Sequence, residues 1–546
     1  MILTVLTFLP LAGALLLMLI PREEEGLLRG GAFVVSLVTF FASLFLLPGF
    51  DPNGWNHVVD VEWVPSLGIH YHLGVDGISL WLVMLTTFLM PVVLLSTWTS
   101  IGKKVREFVI AMLILEAGMI GTFLALDLFV FYVFWEIMLI PMYFIIGIWG
   151  GDRRLYASIK FVLYTMVGSL LMVVAILYLY VRHHDATQAW SFDYTALSHL
   201  VLSPREQLYC FAAFALAFCI KVPLFPLHTW LPDAHVEAPT AGSVVLAAVM
   251  LKFGTYGLLR YAIPFFPVGM AKAAPLLAVL SVVGIVYGSL VAFAQTDMKK
   301  MIAYSSVAHL GFVVLGLTMW NVKAIDGAIY VMLAHGISTG GLFLCIGVIY
   351  ERRHTRRIDE FGGLAAVMPR FNAIFLIITL ASIGLPGLCG FVGEFLVLNG
   401  TFGAYHTWAG LPTFFPHPKV LAVIATTGVI FAAMYMLYLF QKVMFGPLSN
   451  SRNRDLPDLN GREVAVFVPV VIMAFLLGIY PAPFLSTIDP AVKRTVAQFQ
   501  AKYAVAIEDG DAPKMMPEPS AAPEKPAGAP EKPSQGAVGA PEGGAL

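Results

Sequence analysis

Four ionisable residues stand in the middle of long apolar runs, where water should not reach. Glu136 lies in VFWEIMLIPM, Lys221 in FCIKVPLFP, Lys252 in AVMLKFGTYG and Glu394 in LPGLCGFVGEF. Glu116, His309 and His335 occupy similar surroundings. In hydrocarbon each charge costs at least about 2.5–3.5 kcal/mol, so such residues face one another, a protein interior or water. Carboxylates, amines and imidazoles that change charge state in a dry interior are the groups that stepwise proton transfer requires. Each also has a plainer reading. A lysine near a helix end snorkels to the interface, but Lys221 and Lys252 are central in their runs. A buried Glu–Lys pair can be structural, although desolvation cancels much of its attraction. A histidine on an apolar face is more often a satisfied core residue, and Glu116 alone would carry little weight. The cluster is stronger than its members, because membrane helices seldom carry a charge at the centre of so many spans.

The apolar runs themselves define the class. Hydrophobic residues make up 59% of the 546 and charged residues 12%, against about 45–50% and about 25% in soluble domains. The mean hydropathy of +0.81 fits a chain whose solvent is a bilayer. A hydrocarbon layer of about 30 Å needs about 20 apolar residues in a helix. Such runs fall at 2–20, 30–48, 78–98, 108–125, 127–148, 157–181, 208–226, 240–262, 273–293, 300–319, 325–350, 371–400, 419–445 and 464–482. An all-α polytopic protein of about fourteen spans is expected. With the N-terminus outside, the inner loops collect the dense basic clusters, such as Lys103, Lys104 and Arg106, then Arg352, Arg353, Arg356 and Arg357. The outer loops hold only scattered bases such as Arg182 and Lys272. That is the positive-inside bias, and it places both termini outside. The first run lacks a basic leader and a small-residue cleavage site, so it reads as a retained span. Residues 49–77 form an outer loop without Lys or Arg. Residues 505–546, rich in Pro, Ala, Gly and Glu, are expected to be disordered.

Two spans look broken. Pro223 and Pro226 follow Lys221, and Pro386, Gly387 and Gly390 precede Glu394. Proline removes a backbone donor and clashes with the preceding turn. At membrane depth the freed groups are tolerated only against protein or water. The breaks fall in spans seven and twelve, an odd offset of five, so two five-span units would be inverted with respect to each other. Paired interrupted helices in matching places of two halves point to a transport site. The halves correspond in pattern, with little likeness in sequence.

Other chemistries lack a ligand set. Cys210, Cys219, Cys345 and Cys389 sit singly in apolar runs without a C-x-x-C pair, which argues against iron–sulfur or zinc centres. No glycine-rich phosphate loop is present. The histidines do not form convincing haem pairs.

The stretches LALDLFVFYVFWEIMLIPMYFIIGIWG, KVPLFPLHTWLPDAHVEAPTAGSVVLAAVMLKFGTYGLLR and AFAQTDMKKMIAYSSVAHLGFV closely resemble the M-type antiporter-like subunits of bacterial NADH–quinone oxidoreductase, respiratory complex I. The resemblance runs from about residue 60 to 480. It implies fourteen helices, with spans 4–8 (108–262) and 9–13 (273–445) as inverted five-helix repeats, spans 1–3 (1–107) before them and span 14 (464–482) after. It implies discontinuous spans seven and twelve. It also implies roles: Glu136 as the essential glutamate of span five, Lys221 and Lys252 as the central lysines of spans seven and eight, Glu394 as the terminal acid of span twelve, Glu116 as the glutamate of span four, and His309 and His335 as linking residues. The L-type sister subunit carries a lysine in place of Glu394. The implied activity is proton translocation as one subunit of a translocase, with no redox chemistry in this chain. FMN, iron–sulfur clusters and quinone are expected in other subunits, and L-type and N-type subunits and membrane lipids as neighbours, with no nucleic acid. The implied location is the bacterial cytoplasmic (inner) membrane. The same polar axis would serve a multi-subunit Na⁺/H⁺ antiporter or an energy-converting hydrogenase. A non-conducting assembly scaffold is the alternative of another class. The Pro/Ala-rich tail is foreign to the family pattern.

Overall fold

A computed structural model describes residues 1–404, 417–508 and 514–515. Eleven helical spans among the described residues are long and apolar enough to cross a membrane, counting the runs Leu128–Trp149 and Thr240–Phe265 as one each, and three shorter apolar helices accompany them. The chain begins with α1 (Ile2–Met18) and α2 (Glu25–Leu44), followed by a hairpin of β1 (Asn56–Val64) and β2 (Ile69–Val75). Then come α3 (Ser79–Ser96), α4 (Val105–Leu124), α5 (Leu128–Ile137), α6 (Leu139–Trp149), α7 (Arg154–Thr187) and the short α8 (Tyr194–His199). Next are α9 (Pro204–Lys221) and α10 (Trp230–Glu237). The following rod contains α11 (Thr240–Val245), α12 (Lys252–Gly257) and α13 (Ile263–Phe265), with widened five-residue turns at Leu246–Met250 and Leu258–Ala262. The second half holds α14 (Pro267–Phe293), α15 (Met298–Thr318), α16 (Val322–Arg353), α17 (Pro369–Ile383), α18 (Cys389–Phe402), α19 (Pro418–Met444), α20 (Gly461–Ile479) and α21 (Ala482–Glu508).

Burial sorts these helices into two shells. The most apolar windows of α16 and of the α11–α13 rod are fully buried, and that of α15 is 94% buried. The corresponding windows of α2, α7, α19 and α20 are 28–39% buried. The outer helices show Val167, Leu170, Val174, Val423 and Ile430 on their surfaces, as a hydrocarbon solvent requires. The inner helices carry Lys252, His309 and His335. Glycines let them close up. A Cβ on Gly393 of α18 would stand 2.6 Å from the Val331 amide nitrogen of α16, and one on Gly327 of α16 would stand 2.6 Å from the Val397 amide nitrogen of α18.

The outer loop expected at 49–77 contains ordered structure. β1 and β2 pair antiparallel, with Val61 opposite Tyr71 and Glu62 opposite His70. Gly68 closes the turn at a φ of 61°, and a Cβ there would collide with the Trp190 carbonyl. Asp127 caps α5 by accepting from the amides of Phe129 (2.9 Å) and Val130 (3.1 Å), and it also takes the His70 amide at 3.1 Å. Its partner-side clasp is His72 Nδ1 to Asp193 Oδ2, 2.5 Å.

The last helix corrects the start of the tail expected to be disordered from residue 505: α21 runs to residue 508, so residues 505–508 belong to it, and a Lys514–Met515 strand pairs with Leu200–Val201. The rest of the tail expected to be disordered lies outside the described residues. Ile488, Ala491, Val492, Thr495, Phe499 and Lys502 are buried, a helical spacing of apolar positions that packs α21 across the hairpin end of the bundle. Trp81 Nε1 donates to Thr487 Oγ1 at 2.6 Å, and Lys502 Nζ donates to the Ser198 carbonyl at 2.8 Å.

Two outcomes are expected. Gly393→Ala forces α16 and α18 apart and should lower thermal stability by roughly 1–3 kcal/mol, the usual cost of overpacking, measured as an earlier unfolding midpoint in detergent. The His72–Asp193 clasp should depend on pH. Burial alone would depress the imidazole, but Asp193 outweighs it and raises the His72 pKa above its ordinary 6.5. Stability from a raised group is complete below its unfolded pKa and disappears as pH climbs through the folded one. Hydrogen-exchange protection of α8 should therefore be greater at pH 6 than at pH 9, and His72→Asn should remove the difference.

Candidate functional site: a buried chain of ionisable side chains

Lys252 opens α12 directly after the first widened turn. Such five-residue turns are rare insertions that recur at functional places. Here the Ala247 carbonyl accepts from Lys252 Nζ at 2.6 Å. The same ammonium lies 2.7 Å from His335 Nδ1 on α16. A charged Lys252 donates to Nδ1, which puts the imidazole proton of His335 on Nε2. The His335 ring stands 5.8 Å, centre to centre, from that of His309 on α15. His309 Nδ1 is in turn 2.8 Å from Glu394 Oε1 on α18. Four of the residues selected from sequence thus form one continuous file through four elements, each at most 6% exposed.

The far end of that file rests on a break. α17 stops at Ile383, and Gly384 (φ 87°) and Gly387 (φ 89°) take left-handed backbone before α18 begins at Cys389. A Cβ on Gly384 would lie 3.3 Å from Glu394 Oε2. The carboxylate therefore faces the interrupted backbone, and the absence of a side chain at 384 leaves it room.

Lys221 ends α9, where Pro223 and Pro226 stop the helix. Trp230 Nε1 takes the Ile220 carbonyl at 2.9 Å, which satisfies one of the acceptors left by the break. Lys221 is fully buried, and its Nζ has no protein hydrogen-bond partner. It sits 5.3 Å from the Trp135 ring and 5.5 Å from the Phe161 ring, the range of cation–π attraction. Glu136, next to Trp135, is half-buried with Oε1 unpaired. It lies at the junction of α5 and α6, where Pro141 cannot donate to the Ile137 carbonyl. Glu136 and Lys221 make no ion pair within 4 Å, yet they are near enough for the carboxylate's charge to act on the amine. The lysine faces the aromatic rings. Glu116 on α4 is fully buried with both carboxylate oxygens unpaired. Gly118 and Gly121 bring its helix against Met138 and Phe134 of the Glu136 segment. Glu116, Glu136 and Lys221 therefore lie outside the Lys252–His335–His309–Glu394 file.

Three further buried groups escaped the reading of the sequence. His235 on α10 is fully buried, stacks on Phe343 of α16 at 4.8 Å and has both ring nitrogens unpaired. His228, in the turn before α10, is 3% exposed with Nδ1 unpaired. Lys299, at the start of α15, is 3% exposed and donates to the Ala238 carbonyl at 2.7 Å and to Ser243 Oγ at 3.2 Å. Ser243 Oγ itself donates to the His235 carbonyl at 2.9 Å. The seven-residue spacing of His228 and His235, two helical turns, was the available signal. Ending the seventh span at residue 226 concealed it.

A buried polar atom without a partner costs about 1–3 kcal/mol. Lys221, Glu116, Glu136, His228, His235, His309 and His335 all retain such atoms. Among the described residues no group of three or more His, Cys, Asp or Glu side chains is placed to hold a metal ion.

The family described as "NADH:quinone oxidoreductase/Mrp antiporter, TM" matches residues 125–415. NADH-quinone oxidoreductase subunit M of Rhodobacter capsulatus is 48% identical over 513 residues, covering 92% of this chain and 97% of that protein. A chain of respiratory complex I from Thermus thermophilus superposes with a TM-score of 0.81 at 34% identity, covering 91% of this chain and 100% of that one. A chain of the Mrp complex from Dietzia shares the fold with a TM-score of 0.76 at 19% identity, covering 93% and 99%. The matched stretch contains Glu136, Lys221, Lys252, His309, His335 and Glu394. On these likenesses, the chain belongs to the family of NADH-quinone oxidoreductase subunit M.

Proposed function

We propose that this chain is a proton-translocating membrane-arm subunit of NADH–quinone oxidoreductase, and that protons pass along the Lys252–His335–His309–Glu394 file. The observation that carries this reading is the succession of one amine, two imidazoles and one carboxylate, all buried, with a hydrogen bond at each end and the two imidazole rings 5.8 Å apart, centre to centre, in the middle. Lys221 takes a proton from the cytoplasmic side, with Glu136 as its switchable countercharge and Glu116 behind it. Lys252, His335 and His309 relay the charge, with water between Lys221 and Lys252, and Glu394 passes it outward. The energetics allow this. Moving one charge against 150–200 mV costs roughly 3.5–4.6 kcal/mol. A change of about three pKa units in a buried amine is worth roughly 4 kcal/mol.

The fourteen-span arrangement, with 108–262 and 273–445 as inverted repeats, is part of this reading, as are both termini on the outer face of a bacterial inner membrane. The L-type and N-type subunits are the proposed neighbours, and FMN, iron–sulfur clusters and quinone reside in other subunits. The close relation to subunit M, against shared fold alone with the Mrp chain, favours proton pumping in a quinone reductase over Na⁺/H⁺ antiport.

In the assembled complex, Lys221→Ala and Glu136→Gln should each cut coupled proton uptake by roughly tenfold or more, the range for a lost proton-transfer group. Glu136→Asp should retain most of it. Normal pumping with either of the first two would contradict their role. His335→Leu should leave the complex assembled but interrupt the file, which flow-quench measurement of protons taken up per electron will read. Undiminished pumping in all three would favour a scaffold.

A further inference from the structure

The outward end of the Lys252 rod is held by a buried ion pair that the proton file does not use. Arg260 lies eight residues beyond Lys252, inside the second widened turn. Its Nη2 is 2.5 Å from Asp76 Oδ1, and the two side chains are 3% and 2% exposed. Arg260 Nε donates to Tyr256 Oη at 3.2 Å, and Tyr256 Oη donates to the Phe123 carbonyl at 2.9 Å, at the end of the helix that carries Glu116. The rings of Trp55 and Tyr256 flank the guanidinium at 4.7 Å and 5.4 Å. Asp76 Oδ1 also accepts from the amides of Ile78 and Ser79, both at 3.1 Å, at the start of α3. Asp76 Oδ2 lies 3.7 Å from Arg494 Nη2 on α21. One carboxylate therefore joins α3, the rod and α21, and through Arg260 it reaches α4.

Stability is a weak explanation for such a pair. A buried ion pair replaced by apolar side chains of similar volume is often neutral or more stable. Geometry is the better explanation. In a helix each residue turns by about 100°, so the placement of the two widened turns fixes the direction in which every side chain between them points. Lys252 meets His335 of α16 only in the present rotation.

We infer that Asp76 and Arg260 are positioning residues: their pair fixes the rotation of α12, and with it the contact of Lys252 with His335. The inference rests on the proton-file reading and adds an anchor to it. The anchor stands at the hairpin end, where α21 and the β-hairpin meet, so displacement there would reach Lys252 through the rod.

The test is the Asp76→Leu/Arg260→Met double variant in the complete complex, in membrane vesicles. Assembly, NADH-driven quinone reduction and protons taken up per electron are measured. The expected result is an assembled complex whose coupled proton uptake falls by roughly threefold to thirtyfold, as for coupling through packed elements. Arg260→Lys, which keeps the charge, should recover part of the loss, whereas a packing defect would not discriminate between Lys and Met. Wild-type pumping by an assembled double variant overturns the inference. If the double variant fails to assemble, Asp76→Asn decides. It keeps the side-chain shape and removes the charge that pairs with Arg260, so reduced pumping supports the anchor and unchanged pumping overturns it. Lys252→Met run in parallel separates the two levels. Normal pumping there refutes the proton file itself, whereas loss there with normal pumping in the anchor variants refutes the anchor alone.

Discussion

In hydrocarbon, a polar group must find its partner inside the protein or meet water that the protein admits. This constraint governs the molecule at every level. It makes the spanning elements helices. It puts apolar side chains on the outer faces of α7 and α19 and draws the ionisable ones onto α12, α15, α16 and α18. It also explains why the interrupted backbone at 222–229 and 384–388 lies against Trp230, Gly390 and Glu394, where the freed groups have neighbours. The same constraint turns buried charge into a resource. An amine in a dry interior is sensitive to any nearby carboxylate or imidazole, and that sensitivity is what a coupled transfer exploits.

The file from Lys252 to Glu394 has the order expected of a relay. Each member is a group that can hold or release a proton. Lys252 has Ala247 as a fixed acceptor and His335 as an exchangeable one. Each imidazole offers one nitrogen to a partner in the file and keeps the other, Nε2, without a protein hydrogen-bond partner. Lys221 and Glu136 stand apart from this file. Aromatic rings surround the lysine, and its carboxylate lies at a helix junction weakened by Pro141. That separation suits a gate better than a permanent ion pair, because a pair locked at contact distance would hold its charge.

The amino-acid sequence made the central file legible because charge inside an apolar run is costly and therefore conspicuous. Lys252, His309, His335 and Glu394 are all identifiable this way, and the prolines and glycines beside Lys221 and Glu394 mark the interruptions. Contact order was not legible, since it depends on rotations set by the widened turns. Other elements were hidden by competing signals. α21 mixes charged with apolar residues and carries Pro490, so it does not register as an apolar span although its buried positions have a helical period. The β-hairpin is short and held by Asp127 and Trp190, which are distant in sequence. Lys299 sits beside Lys300 and looks like a loop charge until Ala238 and Ser243 close over it. His235 was missed because the seventh span was ended at its prolines, although the chain resumes as a helix at Trp230.

A proton route from Lys221 to Glu394 needs water in its gaps, and a density map of the assembled complex that resolves individual waters is the sharpest test of it. Ordered water is expected within hydrogen-bond reach of Lys221 Nζ, of the His235 ring and of His335 Nε2, linking Lys221 to the Lys252 file, because buried polar groups of this kind are met by water where protein gives no partner. A dry apolar interval between Lys221 and Lys252 in every state of the working complex would contradict it.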